Sequence, residues 1–451
     1  MLSMSTNSWS RNLGKVYTWL LKPRNKIFFY LLYFAPFIIY ELFIMTYGVN
    51  VFYWDEVDTI IGLLKDYVNH SLSLASLWQQ HNEHRIFFPS MIEVVILSLT
   101  HANVKAEMYF SSFLILGVAI ILLLYGAVFR KINPIFFLPV PFILFDPIQW
   151  ENSLWGFQLI FFLVIFSFVV SISFLHLSIS SKSTFIVPSI LFASIGSFSA
   201  LQGLLTWLIG GIAIIITLKS QRTTRIFLIG VFWILSTLAS FYLYFHGWHH
   251  PGYHPSILYP ISHPRQSATY FLASVGNSLG ANLTISCVFG IILLLGYSLA
   301  LKRTLLHREL FFPACLILFA LLFDAMITFG RSGFGPGQAL SSRYTSFNLL
   351  GIAGLYIILI DYLFQIQDTK ATIFSRAGTI LFFFIFIGIS YFHGVKNSAE
   401  AYVFRFAAHE TAIHYRTAPP HLIKVQINPS LSAVMRQFSF LEKQKWSVFK
   451  H

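Results

Sequence analysis

Three carboxylates fall within four positions in Tyr53-Trp54-Asp55-Glu56-Val57-Asp58. The chain has only 17 Asp and Glu in 451 residues, so this clustering needs a chemical reason. The cluster lies just after the first long apolar run. Acids beside a bilayer must be in water, paired, or bound to something. A carboxylate there can take a proton from a hydroxyl or water, or hold a divalent cation such as Mg or Mn. Asp55 and Glu56 are the candidate catalytic pair, with Asp58 in support. A solvated loop is the alternative.

Other polar clusters have complementary chemistry. His81-Asn82-Glu83-His84-Arg85 adds two histidines, an acid and an arginine. Gln149-Trp150-Glu151-Asn152-Ser153-Leu154-Trp155-Gly156-Phe157-Gln158 offers amides and indoles, as does the stretch from Ser197 through Gln202 to Trp207. Such groups suit a sugar, whose ring stacks on Trp and whose hydroxyls pair with amides. Gly330-Arg331-Ser332-Gly333 through Ser341-Ser342-Arg343-Tyr344 supplies two more guanidinium groups. Arg85, Arg331 and Arg343 can each grip a phosphate in bidentate fashion. The substrate-contact candidates are therefore Asp58, His81, Glu83, His84, Arg85, Glu151, Asn152, Gln158, Gln202, Trp207, Arg331, Arg343 and Tyr344. Belt or loop roles remain open for Trp150, Trp155 and the glycines. His81 and His84 sit three apart, which on a helix would permit shared metal binding. The five histidines between His246 and Arg265 lack an HxxxH or HExxH pattern and read as a polar loop.

These clusters need a membrane scaffold. Hydrophobic residues make up 56% and charged residues 10%, with mean hydropathy +0.69, too little polar surface for a soluble domain. The first apolar run, 27–47, is too long for a signal-peptide core. Further runs lie at 108–129, 134–146, 157–178, 184–198, 203–218, 226–245, 284–301, 311–329, 344–363 and 376–392. Basic residues alternate with them in a positive-inside pattern: the N-terminal residues 1–26, then Arg130 and Lys131, Lys182, Lys219 to Arg225, Lys302 to Arg308, and Lys370 with Arg376. The net charge of +13 thus reflects membrane topology, not nucleic-acid binding. An all-α integral membrane protein of about eleven transmembrane helices is expected. Its polar motifs gather on the outer face, and interfacial helices lie in a first outer loop at 48–107. Residues 86–100 are short for a span and read as re-entrant or interfacial. The expected division is a cytoplasmic N-terminus (1–26), a transmembrane domain (27–393) and a small polar appendage (394–451). Charge alone would put that appendage in the cytoplasm. Cys287 and Cys315 lie in apolar runs and read as packing residues.

At these residues the chain resembles polytopic glycosyltransferases of the GT-C fold class, and related uncharacterised bacterial membrane proteins. Asp55-Glu56 matches the essential acid that this class carries just after span one. Residues 81–85, 149–158 and 341–344 match elements of the bacterial group, as does the closing pattern from Phe440-Leu441-Glu442-Lys443 to Val448-Phe449. The resemblance implies an inverting transferase in the bacterial inner membrane with its site facing the exterior. The donor would be a polyprenyl-phosphate sugar, and the acceptor an envelope glycan, lipid or protein. No cofactor is certain beyond a possible divalent cation.

Two readings stand against it: a transporter or flippase of lipid-linked sugars, with Asp324 as its midplane acid, and a non-catalytic assembly subunit. The charge alternation predicts that Ser153→Cys and Pro336→Cys react with an impermeant thiol reagent in intact cells lacking Cys287 and Cys315. Arg222→Cys should not react; the reverse pattern would invert the faces.

Overall fold

The structure is a computed structural model that describes residues 26–132, 134–366 and 370–450. Of the basic segment expected in the cytoplasm, 1–26, residues 1–25 lie outside them. Among the described residues nine helices are long and apolar enough to cross a membrane. In hydrocarbon only a backbone that closes its own hydrogen bonds persists, so these apolar runs become helices.

In chain order the elements that matter are α1 (Lys26–Tyr47), the short α2 (Asp55–Asp58), β1 (Gln80–His81), β2 (His84–Arg85), α3 (Phe87–Thr100) and α4 (Lys105–Leu124). Then come α5 (Leu159–Ser180), α6 (Ile186–Ser197), α7 (Leu205–Ser220), α8 (Thr224–Phe245), α9 (Pro264–Val275) and α10 (Leu283–Leu306). The last are α11 (Phe311–Arg331), α12 (Thr345–Gln365), α13 (Lys370–Ile413) and α14 (Leu431–Gln444). The spans containing α5 and α12 are the centre of the bundle, 78% and 83% buried, against 28% for α8. Helices α11 and α12 meet at a glycine: a Cβ on Gly354 would lie 2.6 Å from the Pro313 carbonyl oxygen. Small residues of this kind let membrane helices approach closely.

Two expected spans are not long helices. Residues 134–146 contain Pro134, Pro139 and Pro141, which lack the N–H a continuous helix needs. They form a single 3₁₀ turn at Pro134–Phe137 and a six-residue helix at Pro139–Leu144. The second, α6, has only 12 residues. Both nevertheless carry the chain from one end of the bundle to the other. At the basic end Arg130 pairs with Asp361 at 2.8 Å, and Arg225 Nη1 donates to the Ser181 carbonyl at 2.6 Å. At the opposite end Phe157 N–H reaches Glu56, and Leu201 N–H reaches His84.

The first loop differs from expectation at His81-Asn82-Glu83-His84-Arg85. These residues form a two-stranded hairpin, not a helix, with His81 opposite His84. Asn82 turns the chain with φ 49°, a conformation that Asn tolerates better than most residues. The metal arrangement imagined for a helix is therefore lost.

The expected appendage at 394–451 is also redrawn, because α13 runs unbroken through residue 394. The segment after it folds back onto the first loop. Trp54 N–H donates to the Ile427 carbonyl at 2.5 Å, Asn428 Nδ2 donates to Asp58 Oδ2 at 2.7 Å, and Ser447 N–H donates to the His101 carbonyl at 2.9 Å. This segment therefore shares an end with the acidic cluster. Local charge favours the other side, but long segments obey that rule weakly.

Ser153 is buried and hydrogen-bonded to Tyr40, so it is a poor labelling position. Exposed Gly337 and Lys424 replace it. Gly337→Cys and Lys424→Cys should label from the same side of the membrane, and Arg222→Cys from the other. Lys424→Cys labelling together with Arg222→Cys would separate the returning segment from the first loop.

Candidate functional site

The acidic cluster splits into three unlike environments. Glu56 is sealed at 1% exposure. Its Oε2 accepts the Tyr53 N–H and its Oε1 the Phe157 N–H, both at 3.1 Å. Burial pushes its carboxyl up to about 8, against the pull of these N–H groups and of Arg405. Glu56 thus ties two segments together. This corrects its catalytic assignment, since no substrate can reach it without opening the fold. Asp58 accepts from Asn428. Asp58 is nevertheless exposed; Asp55 has 37% of its side chain exposed, and His81 Nε2 lies 3.5 Å from its Oδ2.

Trp54, just before Asp55, has φ 53° and ψ −125°. A bulky residue there is strained by about 1–3 kcal/mol and persists only if its surroundings hold it. The bonds from Trp54 to Ile427 and Asn428 supply that hold. The indole is half exposed next to Asp55.

A second centre forms on Glu83. Arg331 Nη2 bonds its Oε1, His84 Nε2 lies at 3.6 Å, and His254 Nε2 lies 3.7 Å from Oε2. Burial would raise this carboxyl, but His84, once protonated, and Arg331 hold it down at about 2. Burial likewise lowers His84 to about 4, so its neutral ring accepts the Leu201 N–H at Nδ1. The third centre is the ion pair of Arg343 Nη2 with Glu151 Oε1, at 3.2 Å. Ser341 Oγ donates to Glu151 Oε2 and accepts from Arg343 Nε, each at 3.1 Å. The centres are coupled: Arg343 lies within electrostatic reach of Glu151, Tyr344, Arg331 and Asp55. Tyr253 likewise faces Glu83, Arg331 and Asp55.

Several expected contacts are corrected. Arg85 donates Nε to the Tyr244 carbonyl, Nη1 to Trp78 and Nη2 to His246, so its fork is already filled by backbone. Trp207 is 1% exposed, bonds Ser197 through Nε1 and packs on Trp233. It is a core residue, not a sugar platform. Gln158 and Gln202 are buried, each with an unpartnered carbonyl oxygen. Asn152 is also buried and holds the Ser342–Tyr344 turn through Arg343 O and Ser346 Oγ, both at 2.8 Å. Tyr344 accepts from Gln338 Nε2 at 2.6 Å. What remains open to a ligand is Asp55, Asp58, His81, Glu151, Arg331 and Arg343.

Sequence reasoning missed two groups. Arg405 donates to the Leu154 carbonyl and lies 5.0 Å over the Tyr53 ring. A lone arginine among apolar residues was the available signal. His254 came from a loop set aside for lack of a motif, yet it faces Glu83. Among the described residues, no group of three or more His, Cys, Asp or Glu converges as a metal site.

No family model, no curated protein and no solved structure matches this chain.

Removing one partner of a buried ion pair strands the other, so Glu83→Gln should cost about 3 kcal/mol at neutral pH. The Glu83 carboxyl is held at about 2, below its ordinary 4.5. Its stabilisation is therefore full above pH 4.5 and is lost as pH falls from 4.5 towards 2. Thermal unfolding in detergent should show wild-type stability dropping across that window and a flatter curve for Glu83→Gln. Parallel curves would remove Glu83 as the hub.

Proposed function

We propose that this chain is a membrane glycosyltransferase with a GT-C-like arrangement of about eleven crossings, nine long and two short. It would move a sugar from a polyprenyl-phosphate donor to an envelope acceptor on the exterior face of a bacterial inner membrane. One observation carries the reading: a partly open carboxylate, Asp55, beside His81, lies within electrostatic reach of Arg343, which itself lies within reach of Arg331. An acid that accepts a proton beside groups that stabilise a phosphate is the minimum that glycosyl transfer needs.

In this mechanism an acceptor hydroxyl oxygen attacks the anomeric carbon from the face opposite the phosphate. The new C–O bond forms as the bond from that carbon to the phosphate oxygen breaks. The leaving phosphate keeps the electron pair, and Arg331 and Arg343 stabilise its charge. The hydroxyl proton passes to Asp55, and the anomeric configuration inverts. His81 orients Asp55, which could alternatively direct a divalent cation to the phosphate.

The transporter reading finds less support. Asp324 is buried and accepts from Ser274, while Asn348 and Asn277 continue that network. Its polar partners are internal, as in a helix-packing contact.

Asp55→Asn keeps size but cannot accept a proton, so turnover with a radiolabelled polyprenyl-phosphate sugar should fall by about a hundredfold or more, with donor binding nearly intact. Arg343→Lys keeps charge but loses the fork, so it should weaken donor binding. Protein-dependent lipid translocation without release of label would point to a flippase. Near-normal turnover in Asp55→Asn would move the base elsewhere.

A further inference from the structure

A cavity of about 300 Å³ opens against the Arg343–Glu151 pair. It is lined by Trp150, Glu151, Asn277, Ser341, Thr345 and Asn397, with Ile148, Gly280 and Leu340 filling gaps. Its size is at the lower end for small-molecule sites.

The lining constrains the ligand. None of its lining residues is basic, and the adjoining guanidinium groups are engaged: Arg343 pairs with Glu151, and Arg405, 5.9 Å over the Trp150 ring, donates to the Leu154 carbonyl, so an anion finds no free counter-charge. Its single acid, Glu151, already faces Arg343, so a cation finds no free charge. An apolar ligand would cover the Trp150 indole N–H and the Asn397 amide without giving them a partner, which is unfavourable. A neutral polyol remains. Among the described residues two lining groups have no protein hydrogen-bond partner, the Trp150 indole N–H and the Asn397 amide. They offer donors and an acceptor beside an apolar indole wall, the combination that suits a sugar ring. Ser341 and Glu151 belong both to this cavity and to the Arg343 network, so a ring seated here brings its hydroxyls to the edge of the charged basin.

We propose that this cavity binds a neutral sugar ring of the acceptor. The acceptor assignment rests on the glycosyl-transfer reading, but the sugar site does not. Asn397 enters from α13, at a position inside the 394–451 stretch expected to form a separate appendage.

The test uses the full chain in lipid nanodiscs and saturation-transfer NMR. The probes are methyl glucoside, methyl mannoside and methyl galactoside, with methyl glucuronide as an anionic analogue and inorganic phosphate as competitor. At least one neutral glycoside should receive saturation, and the glucuronide at least fivefold less. Asn397→Leu should lower the neutral signal at least fivefold with the thermal midpoint unchanged, and Asn397→Gln should restore part of it. Silence from all three neutral glycosides overturns the site. So does a signal that Asn397→Leu leaves intact, or one that phosphate displaces. Transfer assays separate the two readings. Transfer that survives Asn397→Leu keeps the enzyme and removes this acceptor site. Glycoside binding that depends on Asn397, with no transfer at all, keeps a sugar site and removes the acceptor role.

Discussion

A carboxyl group taken out of water must be neutral or richly hydrogen-bonded. Glu56 meets this requirement by accepting backbone N–H groups from its own turn and from the 155–157 turn. Because both bonds go to main chain, they fix segment positions as well as one side chain. The stack of Tyr53 on Trp155, with ring centres 4.8 Å apart, and the Arg405 guanidinium over Tyr53 pack against the same junction. Through it the first loop, the 149–158 segment and α13 become one body, and Asp55 is displayed from that body.

The charges around Asp55 are nearly balanced before any ligand arrives. Three carboxylates, Asp55, Glu83 and Glu151, face two guanidinium groups, Arg331 and Arg343. A phosphate would therefore have to exchange places with Glu151 on Arg343. The two ion pairs are unequal in this respect. Arg331 and Glu83 are largely buried, while the Arg343 side chain is about a third exposed. The exposed pair is the one that can open at lower cost, because water can solvate its separated charges.

Much of the scaffold was legible in the sequence. Apolar runs located the helices, and the spacing of basic loops separated the two ends: Arg130 and Arg225 meet at one, while 53–58, 81–85, 149–158 and 331–344 meet at the other. Both short runs were visible as short, and the three prolines in 134–146 explain one of them. The roles inside the motifs were not legible. Arg85 and Arg331 look alike as letters, and only tertiary pairing fills one fork with carbonyls and leaves the other on a carboxylate. Glu56 and Asp55 are neighbours in sequence, yet a helical turn sends one inward and the other out. The hairpin at 80–85 lacked a readable period because two-residue strands are too short to show one. Trp207 lay at the edge of an apolar run, where burial and an interfacial position give the same pattern.

The strained turn at Trp54 has a consequence for how the molecule is made. Its restraints, Ile427 and Asn428, leave the ribosome after every long helix described here, whereas Trp54 emerges just after the first. During synthesis the first loop therefore reaches its side of the membrane without the contacts that hold Trp54. Only when α13 has inserted and the following residues have been delivered to the same side can the turn lock. Until the 427–428 segment arrives, Trp54 lacks the two bonds that hold its turn, so the last part of the chain made sets the shape of one of the first.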